Sequence, residues 1–281
     1  MSNNNKKLVL ISGILAIILA AAGSVTLFFA ILRNYEIDIG HFSADSVFAH
    51  ITYGILIASV LIATVLAILN RSVTVKHGKA AGPLLSFASA FTAFIMIASV
   101  IFDNYQHTFN LEKSYSTLVL LSSALGILSA LSLLLFAFVG SYRTSFANIL
   151  SFAPVIYFIT RTLILYFDKA VTINSPVKIL VQLAFLSLVL VFIFDAGIYI
   201  GKEKLYPKYL SALIMALTIN GSVAIASLLA TFVNEQIFTL SLADSCMLCS
   251  CFVLCAAKLH HAVFALAGEK AERKENGEKP E

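Results

Sequence analysis

Apolar residues in this chain come in long unbroken runs, with short polar clusters between them. Eight runs reach the length of a membrane-crossing helix: about 8–32, 51–69, 82–103, 117–140, 149–167, 177–200, 209–233 and 239–260. A helix needs roughly 20 apolar residues to cross about 30 Å of hydrocarbon. Stretches such as Leu8–Ala22 and Leu118–Val139 do not alternate between apolar and polar positions. Strands of a membrane barrel would alternate over segments of about ten residues. Lipid offers no partner to a free backbone N–H or C=O, so each run is expected to be helical. The pattern predicts an all-α fold, a polytopic membrane helix bundle of eight transmembrane helices spanning 1–268, with a charged tail at 269–281.

The first run has a competing reading. Lys6-Lys7 before an apolar stretch, with Ala20-Ala21-Ala22-Gly23 behind it, has the layout of a cleavable signal peptide. The apolar run does not stop there, however, and continues through Phe28 and Phe29 to Leu32. That length fits a retained helix.

Composition agrees with the pattern. Of 281 residues, 59% are hydrophobic and 12% charged, against roughly 25% charged in ordinary soluble domains. A mean hydropathy of +0.92 excludes a soluble enzyme, a disordered chain and a disulfide-stapled secreted module. Lys and Arg in short loops set orientation. Lys6, Lys7, Arg71, Lys76, Lys79, Arg143, Lys202, Lys204 and Lys208 fall on one side of the eight-span layout, together with the tail. The other side carries Arg33, Lys113, Lys169 and Lys178 among Glu36, Asp38, Asp45, Glu112, Asp168 and Glu235. Both termini are expected in the cytoplasm and the chain in the cell membrane. These topogenic residues account for the net charge of +4, so the lipid bilayer is the expected partner and no nucleic acid is required. The tail is expected to be a frayed helix end followed by disorder. Loop 33–50, the longest, is too short for a folded domain.

Small residues four apart mark where helices approach closely in lipid. Such stripes are Ala16/Ala20/Ser24, Ser122/Gly126/Ala130, Gly197/Gly201 and Ala212/Ala216/Asn220/Ala224. They are read as contacts within one bundle, the alternative being a homo-oligomer or another membrane protein partner. Pro83, Pro176 and Pro207 lie at span starts, where proline is tolerated. Only Pro154 sits inside a span, about one turn in, so no span is broken at mid-membrane as in many ion-coupled transporters. Ser43-Ala44-Asp45-Ser46 and Leu242-Ala243-Asp244-Ser245 look alike, but the match does not extend, and shared N-cap chemistry explains it.

Ionisable residues inside a span are expensive, which makes them candidates for function. Arg161 sits about 10 Å below the outer surface and Gln182 roughly 8 Å below it, at 1.5 Å per residue. Asp103, Asp168 and Asp244 lie near outer span ends. The expectation is an outer cluster in which one of these aspartates and Gln182 meet Arg161. It would either bind an anionic group or serve as a structural ion pair pinning spans five and six. At the inner edge, Asp195 either pairs with Lys258 or is an interfacial carboxylate. Asn220 reads as a hydrogen-bonding link between helices.

Cys246, Cys249, Cys251 and Cys255 all lie in the last span. At about 100° per residue Cys246 and Cys249 share one face and Cys251 and Cys255 the other, so four thiolates do not converge on one metal. No HExxH, Walker A loop, GxSxG or Gly-rich dinucleotide turn is present. No catalytic residue, metal or cofactor is expected.

Residues 150–230 carry Pro154 with Arg161 seven residues on, then Asn174-Ser175-Pro176-Val177-Lys178-Ile179-Leu180 and Gln182-Leu183-Ala184. Asp195 near the helix end, Gly201 and Leu205-Tyr206 follow. This segment resembles an uncharacterised family of multi-span membrane proteins from clostridia-like bacteria. The family often has an arginine two residues after the acid, where this chain has Gly197. The resemblance implies a bacterial inner-membrane location and singles out Arg161, Gln182 and Asp195.

Two readings of function follow from the residues. A small-solute binding or transport unit predicts a water-filled cavity lined by polar residues of spans five to eight. A membrane scaffold or partner subunit predicts a dry bundle with those residues paired. An enzyme is not expected.

Overall fold

The computed structural model describes residues 3–36, 40–71, 82–110, 116–139, 145–167, 175–200, 203–233 and 240–275. Eight spans are long and apolar enough to cross a membrane. The helices are α1 (Asn3–Asn34), α2 (Val47–Leu69), α3 (Pro83–Asn110), α4 (Ser116–Val139), α5 (Ser145–Leu150), α6 (Ala153–Phe167), α7 (Pro176–Tyr199), α8 (Tyr206–Val233) and α9 (Leu242–Glu275). Helices α5 and α6 together make the fifth span. With eight crossings, α1 begins and α9 ends on the same face. That face is called proximal below, and the opposite face distal.

Local chemistry sets the helix ends. The Ser46 side chain caps α2 by accepting from the Ala49 N–H at 3.2 Å, and the Ser241 hydroxyl accepts from the Asp244 N–H at 3.1 Å. The two similar tetrapeptides thus use different registers. In one the cap is the last serine, and in the other it precedes the motif. Pro83 and Pro176 open α3 and α7. The expected span 149–167 is not one helix. Pro154 has no N–H to give the Leu150 carbonyl and its ring crowds that group. The chain therefore turns at Ser151-Phe152 and restarts as α6.

Two features were not anticipated. Two short strands pair antiparallel, β1 (Tyr35–Glu36) against β2 (His41–Phe42), with Tyr35 opposite Phe42. Gly40 takes φ 70° just before β2, a left-handed conformation that suits glycine. The Tyr35 hydroxyl hydrogen-bonds Ser175 Oγ at 3.3 Å, fastening the strand pair to the head of α7. Secondly, α9 runs as helix to Glu275, further than the frayed helix end expected of the tail.

Helices α3, α4, α6, α7, α8 and α9 form a closed ring in that order, each packed on the next and α9 returning to α3. Helices α1 and α2 pack on each other and against α8, outside the ring. Helix α8 is thus enclosed from both sides: 78% of its span is buried, against 28% for α2. Both are comparably apolar, so hydropathy does not separate the hub from the rim.

The small-residue stripes lie at these seams. Ala16, Ala20 and Ser24 of α1 are buried, as are Ala212, Ala216, Asn220 and Ala224 of α8 and Ser122 and Ala130 of α4. Gly197 is buried, and its GxxxG partner Gly201 lies outside the described residues. The first helix is built into the bundle through Ala16 and Ala20. Large apolar side chains such as Phe87, Phe94, Phe138, Ile149 and Phe232 point outward, where lipid covers them.

Gly126 decides one close approach. A Cβ there would stand 2.5 Å from Val100 Cγ2 and 3.1 Å from the Tyr157 ring. Gly126→Val is therefore expected to force α4 off α3 and α6. It should destabilise the bundle by about 1–3 kcal/mol, read as a lower melting temperature in detergent. An unchanged melting temperature would mean that this seam is loose.

Candidate functional site

The axis of the six-helix ring holds two charged layers, one near each face. In the distal layer Arg161 extends from α6, nearly buried at 9% exposure. Its Nη1 donates to Asp103 Oδ2 of α3 at 2.5 Å and its Nη2 to Asp244 Oδ1 of α9. The planar fork lets one side chain serve two carboxylates on different helices, which the point charge of lysine cannot do as well. Asp244 is in the first turn of α9, where the helix dipole favours an anion.

In the proximal layer Lys258 of α9 donates to Asp195 Oδ2 of α7. Both side chains are buried, at 3% and 8% exposure. The ammonium also lies 5.3 Å from the Phe136 ring centroid of α4 and 5.7 Å from that of Phe192 of α7. These are cation–π distances.

One face of α9 runs through both layers. Asp244, Met247, Cys251, Cys255 and Lys258 recur at spacings of three and four, the period of a single helical face. Asp244 and Lys258 are 14 residues apart, about 21 Å along the helix. Between them the interior is apolar. The Tyr157 hydroxyl of α6 donates to Met247 Sδ at 3.1 Å. Phe158 stacks on Phe192, with centroids 5.8 Å apart, and touches Phe185 at 5.9 Å.

The structure corrects several expectations. Two aspartates meet Arg161, not one. Gln182 is half-buried and gives no hydrogen bond to the guanidinium. Depth alone put it in the cluster, but at about 100° per residue it stands beside the buried stripe of Val181, Phe185 and Leu188. Arg161 does not pin spans five and six; it ties α6 across the ring to α3 and α9. Asp168 lies outside the described residues. Asp195 is paired with Lys258, not left as an interfacial carboxylate. Lys178, read only as a topogenic charge, is buried, and its ammonium donates to the Tyr166 carbonyl at 3.4 Å.

Sequence reasoning missed Tyr157–Met247, the two phenylalanines around Lys258, and Thr92, whose hydroxyl donates to the Ser250 carbonyl at 3.1 Å. The spacing along α9 was the available signal. Asn220 links helices as expected, donating from Nδ2 to the Leu248 carbonyl at 3.0 Å. Cys251 and Cys255 are buried while Cys246 and Cys249 are half-buried, matching the two faces read from the helical period. Among the described residues, no group of three or more His, Cys, Asp or Glu is placed to hold a metal.

No known protein family, characterised protein or solved structure matches this chain.

Proposed function

We propose that this protein is a non-enzymatic translocator of a small solute in a bacterial plasma membrane, with both termini cytoplasmic. The route is the axis of the six-helix ring, closed at each end by an ion pair. The clostridial resemblance of residues 150–230 and the loop charges support the membrane and the orientation.

One observation carries the reading. The interhelical ion pairs among the described residues lie inside the ring and leave the helix–helix seams to small residues. A buried ion pair adds little stability over an apolar pair of similar size, and charges within a bilayer are expensive. A scaffold needs only the close packing that the small-residue stripes already supply. The pairing itself is what the scaffold reading expects, and a translocator in its closed form shares it. What a scaffold does not require is charge stacked along a ring interior. Both Nη atoms of Arg161 face carboxylates, so an approaching anion meets two acidic groups beside the cation. The distal layer disfavours an anionic solute.

Cys251 tests the route, since it lies between the layers, one turn beyond Met247 and beside Tyr157. In a chain carrying Cys246→Ala, Cys249→Ala and Cys255→Ala, a membrane-impermeant thiol reagent is expected to label Cys251 in intact membranes. Full protection of Cys251 would show a permanently dry bundle and favour the scaffold.

A further inference from the structure

We propose that the distal layer binds one proton, and that Asp103 is the residue that takes it up and releases it. Asp103 and Asp244 occupy separate prongs of a single guanidinium. With both carboxylates ionised, one negative charge is left unmatched where water cannot disperse it.

Among the described side chains, none around the layer supplies the missing positive charge. Helix α6 presents Arg161 and Tyr157, and the Tyr157 hydroxyl is engaged with Met247. Helix α7 presents Gln182 and Lys178; the Lys178 ammonium keeps its charge but donates to the Tyr166 carbonyl, about 7.5 Å outward of Arg161 along α6, and makes no ion pair with Asp103 or Asp244. Helix α4 presents Ser123, which accepts from Asn104 of α3 at 2.9 Å. Helix α8 has its charged residue, Lys208, at the proximal end. On α9 the nearest charge beyond Asp244 is Lys258, about 21 Å away and matched by Asp195.

Two features assign the proton to Asp103. Asp244 sits in the first turn of α9, where the helix dipole favours its ionised form, whereas Asp103 lies well inside α3. The Asp103 side chain also keeps 17% exposure against 9% for Asp244, so it has the better access to distal water. A further observation points to an exchangeable ligand. Ser99 is one turn before Asp103 on the same side of α3, and its buried hydroxyl has no partner among the described residues. An unpaired buried hydroxyl costs about 1–3 kcal/mol, and the O–H of a protonated Asp103 carboxyl one turn away offers it a donor. A metal cation fits less well, because it would meet the guanidinium already on both carboxylates.

The step is a simple transfer. The O–H bond of the Asp103 carboxyl breaks, its electron pair stays on the carboxylate, and the proton goes to distal water. Binding follows from this geometry alone, and only its use in driving solute movement rests on the translocator reading.

Infrared difference spectroscopy on the full chain in lipid nanodiscs, between neutral and alkaline pH, reads the proton directly. Wild type is expected to lose a protonated-carboxyl C=O band on alkalinisation. The band should vanish in Asp103→Asn, which mimics the protonated side chain and should keep the wild-type melting temperature. It should vanish also in Asp244→Asn, where Arg161 and Asp103 become charge-matched. It should persist in Asp45→Asn, a change on the exposed distal loop. A wild type without the band, or a band surviving Asp103→Asn, overturns the proposal. So does a band that changes when sodium replaces choline in the buffer, which gives the site to a metal cation. A labelled Cys251 with no such band keeps the route and removes the proton site. The band with Cys251 protected does the reverse.

Discussion

Arg161→Ala is expected to be among the most damaging single substitutions in this protein. It leaves the Asp103 and Asp244 carboxylates facing each other in a largely water-excluded layer with no cation between them. Removing one partner of a buried ion pair costs about 3–5 kcal/mol, here the charge of Asp244 left without its cation. The expected result is a large fall in melting temperature in detergent and poor recovery from membranes. Arg161→Lys should fall in between, because one ammonium cannot reach two carboxylates on α3 and α9 with the same geometry. Adding Asp244→Asn to Arg161→Ala should recover part of the loss by removing the stranded charge. If Arg161→Ala melts like wild type, water already solvates the aspartates and the distal layer is open, not closed.

The proximal layer yields the second large effect. Lys258→Ala strands Asp195, buried at 8% exposure, and deprives Phe136 and Phe192 of the ammonium between them. A loss of about 3–5 kcal/mol is again expected. The double change Lys258→Met with Asp195→Leu should largely restore the melting temperature, since apolar replacements of buried ion pairs are often neutral. Stability and function then separate. If the pair is a gate, the double variant folds but the labelling rate of Cys251 from the proximal side changes several-fold. If the pair only fastens α9 to α7, the labelling rate stays at the wild-type value.

How much of this was legible in advance depends on which coordinate a residue's role needs. Position along the bilayer normal follows from counting residues, because a helix in lipid rises by a fixed amount. That placed Arg161 level with Asp103 and Asp244, and Asp195 level with Lys258. Position around the helix axis needs to know which face meets which neighbour. There the reasoning failed for Gln182, which has the right depth and the wrong angle, and underrated Lys178. The cysteines were read correctly because the question concerned one helix only. The break at Ser151-Phe152 was within reach of the sequence through Pro154, but its consequence, a separate α5, depends on how the turn packs.

The sequence by itself determined the solvent, the eight crossings and the small-residue seams. Each of these is set by local composition and by the demand that every backbone group in lipid be bonded within its own segment. Only the tertiary structure decided that six of the nine α-helices among the described residues close into a ring with α1 and α2 outside it. It alone brought Asp103, Arg161 and Asp244 together from three helices, and showed the same face of α9 continuing to Lys258. Helix adjacency in a membrane is chosen by shape and by a few polar contacts between segments that are alike in hydropathy. A pattern along one chain carries no record of which of those segments will be neighbours.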